Sequence, residues 1–455
     1  IAWYLWQSVL AHARTVAGTG DAEPLTAETL QLNLHDLLSR DLRRALQGNS
    51  VPPQSNLPTF ELFLSNTALD GLERQLPPPP DGKGEYVAGE LQFRGTRYEV
   101  DLRYRGSKHW HWNYPQKSLK LRFREPRHLL SHETVLLLNS PEPEPLLELV
   151  ILGIAERRGL MVPRYAPVRL LINENAMGLY FLEAPADEAT LRYHHRLPWN
   201  LYSGDSGPVD RDTGVSQLFQ NLASWNKSAS PTEDTTGMKE LELLLERLAH
   251  ATPAEFAEFA RERLDLESFA ILDALNVVFG LDQRNYDENQ KFYFDPYRGR
   301  FEPVVWNVRG ADHDAVVHRA MSPLTQRLEE LPEWVVQRNR LVMELLEGEA
   351  SPEALQRSLE HWDQLLQVPF EQDRFWDATD LLPPAGDYYR DMVRPMTRER
   401  QLAARQLLLH RLEERGRWLA AQLSTGELQG SLVELEQAET PKIGRASSRE
   451  RVYHP

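Results

Sequence analysis

The sequence predicts an α+β fold in which a strand-rich N-terminal half precedes a helix-rich C-terminal half. The first observation is a series of short runs between residues 58 and 184 in which apolar and polar residues alternate, as in half-buried strands. The second is the helical spacing of apolar residues after residue 232. The third is a strand hairpin at 291–306 that interrupts the helical half. The 455 residues are enough for two or three domains or for one large two-lobed unit.

Residues that favour turns separate the strand signals of the first half. Gly95-Thr96 lies between two alternating runs, and the Asn-Glu-Asn segment at 173–175 lies between two others. A helix is expected from Pro145 to just before Gly159, because proline is tolerated in the first helical turn. The predicted strands are 60–64, 90–94, 97–104, 118–123, 134–138, 166–172 and 178–183.

Helical periodicity organises most of the remaining chain and sets the domain boundaries. The predicted helices are 1–16, 26–48, 232–249, 253–280, 323–347, 351–366 and 392–423. This pattern divides the chain into a helical segment at 1–50, a strand-rich lobe at 58–184, a helical lobe at 185–424 and a tail at 425–455.

Composition excludes several classes of function. The net charge of −16 argues against nucleic acid or an anionic membrane as the main partner, because both require a basic surface. The chain has no cysteine, which excludes thiol catalysis, disulfides and Cys-ligated zinc. Both reducing and oxidising compartments tolerate such a chain.

Both termini have unusual sequences. The apolar stretch 1–6 is too short to span a bilayer, and it is interpreted either as the end of a lost signal or membrane anchor or as a buried helix start. An extracytoplasmic or membrane-anchored setting is therefore slightly favoured over a cytoplasmic one. Residues 442–452 resemble the translation of a sequencing adapter, so no fold or function is expected from about residue 442. The alternative is a genuine basic tail.

The most informative segment is a polar loop followed by the predicted hairpin. Asp282 and Asn289 are seven residues apart in this loop, and Asn307 follows the second strand of the hairpin. Protein kinases use the same order, in which a catalytic acid precedes a metal-binding Asn and a further metal ligand follows a strand. The segment therefore indicates phosphoryl transfer, although the third position of a fully active site requires a carboxylate.

Lys117 is the candidate phosphate ligand of the strand-rich half. It precedes an alternating strand and follows the turn at Gly106. A lysine that faces inward there can neutralise nucleotide phosphates. The alternative is an amphipathic strand on which Lys117, Lys120 and Arg122 face water.

Several motifs, taken in order, resemble those of the CotH kinase family. That family has an atypical, bilobal protein-kinase-like fold and phosphorylates serine residues of proteins, including those of the spore coat. The resemblance covers about residues 58–320 and is most specific in the hairpin that ends at Glu183 and in the Asp282 loop. It implies ATP and Mg²⁺ (or Mn²⁺) as cofactors and a protein substrate with a serine acceptor. The motifs are Arg105-Gly106-Ser107, Gln116-Lys117-Ser118, residues 172–183, residues 282–289 and Trp306-Asn307.

The resemblance assigns a role to each candidate residue. Lys117 would contact the ATP phosphates, and Glu183 would lie near the nucleotide in a cleft between the lobes. Asp282 would accept the proton of the substrate hydroxyl. Asn289 and Asn307 would bind the divalent metal ion.

The sequence departs from the family pattern at the metal site. Asn307 stands where the family has its main metal-binding Asp, and Arg309 replaces a second acid. An amide keeps an oxygen ligand but removes the negative charge that a hard cation needs. Asp312 and Asp314 could compensate if the loop folds back. The alternatives are therefore a degenerate pseudokinase that serves as a binding or scaffold protein and a metal-independent nucleotidyl transferase.

Two further motifs have simpler interpretations. Gly204-Asp205-Ser206-Gly207 resembles the nucleophile motif of trypsin-like proteases, but no matching His motif precedes it. His109 and His111 could bind a metal, yet no third ligand converges on them in the sequence, which favours a loop or a substrate-contacting aromatic patch.

Overall fold

The computed structural model is an α+β protein that divides into two compact units. The first unit comprises residues 1–146, 164–185 and 359–406, and the second comprises 147–163, 186–358 and 407–455. The structure describes residues 56–75, 84–105, 111, 116–124, 129–139, 145–204, 218–231, 237–281, 289–308, 322–372 and 398–424. The predicted helices at 1–16 and 26–48 and the tail at 425–455 lie outside these residues.

Seven strands of the first unit form a closed barrel. Its order is β1-β2-β3-β4-β5-β7-β6, and parallel pairing of β1 with β6 closes it. All other pairs are antiparallel. The seven strands are β1 Thr59–Phe63, β2 Val87–Phe93, β3 Thr96–Tyr104, β4 Leu119–Phe123, β5 Thr134–Leu138, β6 Tyr165–Ile172 and β7 Asn175–Glu183.

Alternation in the sequence explains why these segments form a barrel. In β4, Leu119, Leu121 and Phe123 are buried while the residues between them are more exposed. Leu121 packs in one apolar core with residues of the neighbouring strands, including Val100 and Leu137. Because side chains alternate between the faces of a strand, one face of each strand fills the barrel.

A turn between β6 and β7 is held against the first strand. Asn173 and Glu174 both adopt positive φ angles, of 49° and 65°. The Asn173 side chain accepts a hydrogen bond from the Leu64 amide and donates one to the Leu64 carbonyl, both at 2.8 Å. The predicted turn at 173–175 is thus pinned to the end of β1, which fixes the hairpin that ends at Glu183.

A short helix in this unit was not predicted from the sequence. Helix α1, Asn66–Arg74, begins after Ser65, whose side chain accepts a hydrogen bond from the Ala68 amide. Ser is a favoured N-cap residue. Only Ala68 and Leu72 are buried in this nine-residue helix, so its apolar face is short.

The second unit contains a four-stranded antiparallel sheet of order β11-β10-β8-β9. The predicted hairpin at 291–306 is confirmed, but its second strand, expected at 304–306, is instead β11 at Arg300–Pro303. Strands β8 and β9 were missed, because neither alternates between buried and exposed residues: all four residues of β8 are buried, and β9 buries only its first and last residues. The four strands are β8 Leu201–Gly204, β9 Trp225–Ala229, β10 Gln290–Asp295 and β11 Arg300–Pro303.

The remaining helices confirm the predicted helical character and correct two boundaries. The predicted helix 253–280 is two helices, because Asp265 caps a new one by accepting a hydrogen bond from the Ser268 amide. The predicted helix 323–347 is likewise divided, since Pro332 begins a second helix. The helices are α2 Pro145–Arg157, α3 Glu188–Tyr193, α4 Lys239–His250, α5 Pro253–Arg263, α6 Leu266–Phe279, α7 Pro323–Glu329, α8 Pro332–Glu347, α9 Pro352–Gln372 and α10 Arg398–Ser424.

Helix α6 is the centre of the second unit. Every residue from Phe269 to Phe279 is buried. The fully buried Arg338 of α8 donates to Asp273 of α6 at 2.9 Å, which satisfies both charges inside the helical core. Within the described part of the chain, no helix is long and apolar enough to cross a membrane.

Candidate functional site

Lys117 is presented by a segment that a buried polar network holds in place. Asn139 donates through its side chain to the Gln116 carbonyl at 2.8 Å, and its backbone amide donates to Ser118 Oγ at 3.1 Å. Gln116 in turn donates to the Met177 carbonyl at 2.7 Å. Gln116 and Ser118 are buried on either side of Lys117, which is therefore held in one register at the start of β4.

The Lys117 ammonium has an acidic and an aromatic neighbour. Its Nζ atom lies 4.0 Å from a carboxylate oxygen of Glu73, on α1, and 5.7 Å from the centre of the Tyr104 ring. The Tyr104 hydroxyl donates to the same Glu73 oxygen at 2.7 Å. Protein kinases position their phosphate-binding lysine through an ion pair with a helical glutamate. Sequence reasoning missed Glu73 and Tyr104, because neither belongs to a motif.

Glu183 is the last residue of β7 and is buried. Its backbone pairs with Leu136 of β5 and with Tyr165 of β6. The position agrees with the predicted hairpin, and Lys117 and Glu183 both belong to the barrel unit. Their predicted roles toward a nucleotide stay predictions.

The segment that leads to Asp282 is well anchored, although Asp282 itself lies outside the described residues. Helix α6 ends at Gly280, which adopts the left-handed conformation at φ 61°. The Leu281 amide then donates to the Asn276 carbonyl at 3.0 Å. Buried Arg415 donates to the Val277 carbonyl at 2.8 Å, which places a positive charge at the negative end of the helix dipole.

Asn289 and Asn307 flank the β10–β11 hairpin, Asn289 directly before β10 and Asn307 four residues after the end of β11. Asn289 immediately precedes β10 at φ 65°, and Asn307 follows β11 at φ 51°. Asn tolerates this left-handed backbone better than most residues with a side chain. Both side chains are partly exposed. The structure thus places the two predicted metal ligands on one hairpin of the second unit.

The loop that carries Asn307 is fixed by its buried neighbours. The Val304 amide donates to the Lys291 carbonyl at 3.0 Å, and the Val305 amide donates to the Met161 carbonyl at 2.8 Å. Val304, Val305 and Val308 are buried, whereas Asn307 is not. The backbone at Asn307 is therefore held rigidly while its side chain remains accessible.

Lys291 is a buried charged residue of β10 that was not selected from the sequence. Its side chain is buried on β10, and its Nζ atom donates to Ser203 Oγ on β8. The same atom lies 4.6 Å from the centre of the Trp306 ring, a distance typical of a cation–π interaction. A buried ammonium thus lies against the residue that precedes Asn307.

A second charged network supports the hairpin from β11. The buried carboxylate of Glu302 accepts hydrogen bonds from Arg196 at 2.9 Å and from Arg298 at 3.1 Å, and Arg298 also pairs with Asp265 at 2.6 Å. Burial raises the pKa of Glu302 despite the two guanidinium groups, which act in the opposite direction. This network ties the hairpin to the start of α6.

The described residues at this position do not suit Mg²⁺. Mg²⁺ prefers carboxylates, phosphate oxygens and water, whereas Asn289 and Asn307 contribute neutral amides and Lys291 contributes a positive charge. Among the described residues, no group of three or more His, Asp or Glu side chains could hold a metal ion. Among the described side chains of this segment, the two amides and the ammonium suit an anion better than a cation, while Asp282, Asp312 and Asp314 lie outside the described residues.

The two minor motifs gain no support. The His111 ring nitrogen Nδ1 is 3.1 Å from Ser118 Oγ, so this histidine takes part in the network that holds the Lys117 segment. His109 lies outside the described residues. Gly204 ends β8 and packs so closely on Trp225 that a Cβ atom would be 2.9 Å from its ring. The other three residues of the protease-like motif, 205–207, also lie outside the described residues.

The fold and these positions define an α+β protein with a lysine–glutamate pair in one unit and an amide-bearing hairpin in the other. The family model of the CotH kinase protein matches residues 102–396, most of the chain. The chain therefore belongs to the CotH kinase family, as its motifs indicated. The matched span contains all five candidate site residues. No curated protein matches the chain.

Proposed function

We propose that this protein is an ATP-dependent kinase of the CotH type that phosphorylates serine side chains of a protein substrate. The observation that carries the proposal is the family match, which includes Lys117, Glu183, Asp282, Asn289 and Asn307. The Lys117–Glu73 pair adds support, because it resembles the ion pair through which a kinase positions its phosphate-binding lysine, although the glutamate here precedes the lysine in the chain.

The proposal includes a protein-kinase-like fold. In it, the barrel unit is the N-terminal lobe, and the second unit with its β10–β11 hairpin is the C-terminal lobe. The order of the elements supports this assignment, because a helix, a polar loop and a hairpin precede Asn307 as they precede the metal-binding residue of kinases.

The proposed reaction transfers the terminal phosphoryl group of ATP to a serine. The serine oxygen attacks the γ-phosphorus and forms a new O–P bond, while the bond between the γ-phosphorus and the bridging oxygen breaks. ADP leaves with the electron pair of that bond. Asp282 accepts the hydroxyl proton, and Lys117 neutralises part of the phosphate charge.

A pseudokinase that binds a partner without transferring phosphate is the second candidate. Asn307 favours it, because this residue removes the carboxylate that a divalent ion needs to orient the phosphates. Such a protein would still use the same surfaces for nucleotide or partner binding.

The test is the change Asp282→Asn with Asp295→Asn as the matched control. Asp295 lies at the other end of β10, where its carboxylate accepts hydrogen bonds from the Tyr297 and Arg298 amides. Each protein is incubated with ATP labelled in the γ-phosphate and, separately, in the α-phosphate, together with a serine peptide library. Incorporated label is then located by mass spectrometry.

The kinase proposal expects γ-label on serine for the wild type and the control, and a loss of about 100-fold or more for Asp282→Asn with ATP binding retained. ATP binding by all three proteins with phosphoryl transfer by none of them would favour the pseudokinase. Incorporation of the α-label would instead show nucleotidyl transfer.

A further inference from the structure

We infer that Arg415, on the helix that follows the family-matched residues, is a positioning residue for the proposed phosphoryl transfer. Its guanidinium group fixes the end of α6, from which the chain continues to Asp282. The inference rests on the proposed function and extends it beyond residues 102–396, because α10 begins at Arg398. It makes the second half of α10 a part of the catalytic unit.

The end of α6 has a backbone carbonyl that requires a donor from elsewhere. Gly280 is left-handed at φ 61°, and its amide donates to the Asn276 carbonyl. The Leu281 amide donates to the same carbonyl at 3.0 Å. In a continuing helix, the Leu281 amide would instead donate to the carbonyl of Val277, four residues earlier. The Val277 carbonyl is therefore one of the helix-terminal groups that need a partner outside the helix.

Arg415 supplies this partner with two donors. Its Nε atom is 2.8 Å and its Nη2 atom 2.6 Å from the Val277 carbonyl oxygen, and both hydrogen bonds are buried. Two N–H groups of one planar guanidinium restrict the direction of the carbonyl as well as its distance. The positive charge also lies at the negative end of the helix dipole. Val277 is five residues before Asp282, so the contact fixes the backbone close in sequence to the proposed catalytic acid.

Helix α10 holds Arg415 against the second unit. A buried stripe runs along one face of the helix at helical spacing and consists of Leu408, Leu412, Arg415 and Leu419. Gly416 allows α10 to approach α8 closely, because a Cβ atom there would be 3.3 Å from Cδ2 of Leu346. Helix α8 is itself tied to α6 by the buried pair of Arg338 and Asp273. The guanidinium therefore lies on a packed helix face, which fixes its position relative to α6.

Loss of the guanidinium should move the chain that leaves α6. The Val277 carbonyl would be buried without these two donors, which is unfavourable unless the last turn rearranges. The helix is buried from Phe269 to Phe279, so we expect the rearrangement at its end and in the segment that follows. A general base must lie within hydrogen-bond reach of the proton that it accepts, and a misplacement of about 1 Å can reduce a rate by about 100-fold. Phosphoryl transfer should therefore become slower, while ATP binding through Lys117 of the barrel unit should persist.

Kinetics and hydrogen exchange of the full chain test the inference. Arg415→Met removes both donors and the charge, Arg415→Lys keeps the charge and a donor, and Arg417→Met is the matched control. Arg417 is exposed on the same helix, 3.9 Å from Glu413, so its removal changes the net charge equally. Three quantities are measured below the melting transition of each protein: γ-phosphate transfer to a serine peptide, ATP affinity by calorimetry, and exchange of the Gly280 and Leu281 amides.

The expected result separates transfer from binding. Arg415→Met should lose about 10-fold to 100-fold in kcat, with little change in the Kd for ATP. The Gly280 and Leu281 amides should exchange slowly in the wild type and at least about 10-fold faster in this variant. Arg415→Lys should recover most of the kcat and of the protection. Arg417→Met should match the wild type in all three measurements.

The outcomes that overturn the inference are distinguishable from failure of the proposed function. An unchanged kcat in folded Arg415→Met, or unchanged exchange of the two amides, would show that Arg415 only stabilises the fold, while the kinase proposal would stand. If Arg415→Met does not fold, Arg415→Gln, which keeps one donor, takes its place. Rapid exchange of the Leu281 amide in the wild type would overturn the inference without any variant. An absence of transfer in the wild type refutes the proposed function and the inference together.

Discussion

The barrel unit and the second unit each contain a lysine beside or among the candidate site residues, but in opposite environments. Lys117 of the barrel keeps 17% of its side chain exposed and has a carboxylate 4.0 Å from its Nζ atom. Lys291 of the four-stranded sheet is buried against a serine and an indole ring. Lys117 can reach a ligand directly, whereas Lys291 contributes a charge that cannot move.

This difference makes Lys117 the better candidate for direct contact with a ligand. Its ammonium is partly exposed at the surface of the barrel unit, whereas that of Lys291 is buried within the second unit.

The largest expected effect concerns the exposed lysine. Lys117→Met removes a direct contact to the phosphates, and we expect the affinity for ATP to fall about 10-fold to 100-fold in both EDTA and Mg²⁺. Lys120→Met is the control, because Lys120 lies on β4 three residues further along the chain. Equal calorimetric affinities for the wild type and Lys117→Met would remove Lys117 from the site.

The next effect concerns the charge at position 307 of the second unit. Asn307→Asp restores a carboxylate, and we expect Mg²⁺-dependent affinity for ATP to increase by about 1–3 kcal/mol, in the range of charge-assisted contacts. The double variant with Arg309→Asp should gain more, because a nearby positive charge is also removed. Titrations in Mg²⁺ and in EDTA separate this gain from metal-free binding. No change in metal dependence in either variant would show that Asn307 does not face the phosphates.

A smaller effect is expected at the partner of Lys117. Glu73→Gln removes the ion pair, but Glu73 is about half exposed, so the free energy of unfolding should change by less than about 1 kcal/mol. The rate of phosphoryl transfer should fall more than stability, because the lysine loses its positioning partner. A rate that follows stability alone would show that the pair is only structural.

The smallest effects concern two carboxylates whose pKa values shift in opposite directions. Hydrogen bonds from Arg124 and Arg122 lower the pKa of Asp101 in the barrel, whereas burial raises the pKa of Glu302. Asp101 therefore stabilises the barrel above the ordinary pKa of an aspartate, and this contribution is lost as the pH falls through its lowered value. Glu302 behaves oppositely, since ionisation above the ordinary pKa of a glutamate destabilises the folded hairpin.

Local hydrogen exchange can measure both contributions. At neutral pH, the β3–β4 amides of Asp101→Asn should be less protected from exchange than those of the wild type, after correction for intrinsic exchange rates. This difference in protection should disappear as the pH falls. Glu302→Gln should become more protected than the wild type in the β10–β11 amides as the pH rises. The same pH dependence in wild type and variants would show that neither carboxylate is linked to folding.

The sequence predicts the barrel well, because alternation is a local property. Strand β1 was predicted at 60–64 and is Thr59–Phe63, and the strand predicted at 134–138 is confirmed without change. The missed elements have weak local signals. Strand β8 has four residues and α1 has two buried ones. The helix boundaries at Asp265 and Pro332 depend on capping and on proline, which interrupt a continuous apolar pattern.

The site was predictable only where residues belong to a motif. Lys117, Asn289 and Asn307 were selected on that basis, and their roles stay predictions. Glu73 and Ser203 could not be selected from the sequence, because only the folded chain brings each of them next to its lysine. Ser203 is 88 residues from Lys291 in sequence. Lys291 itself stands in an apolar run and was counted as part of a strand, so only its contacts show that the charge is buried.

The proposed function depends on ATP binding through Lys117 of this CotH family member, and affinity labelling can detect that contact. An acyl-phosphate derivative of ATP transfers its acyl group to a lysine that lies near the phosphates, and peptide mass spectrometry then identifies the modified residue. We expect that Lys117 is acylated and that excess ATP prevents this, while Lys120 of β4 reacts weakly and is not protected. Equal labelling of Lys117 and Lys120 without protection by ATP would contradict it.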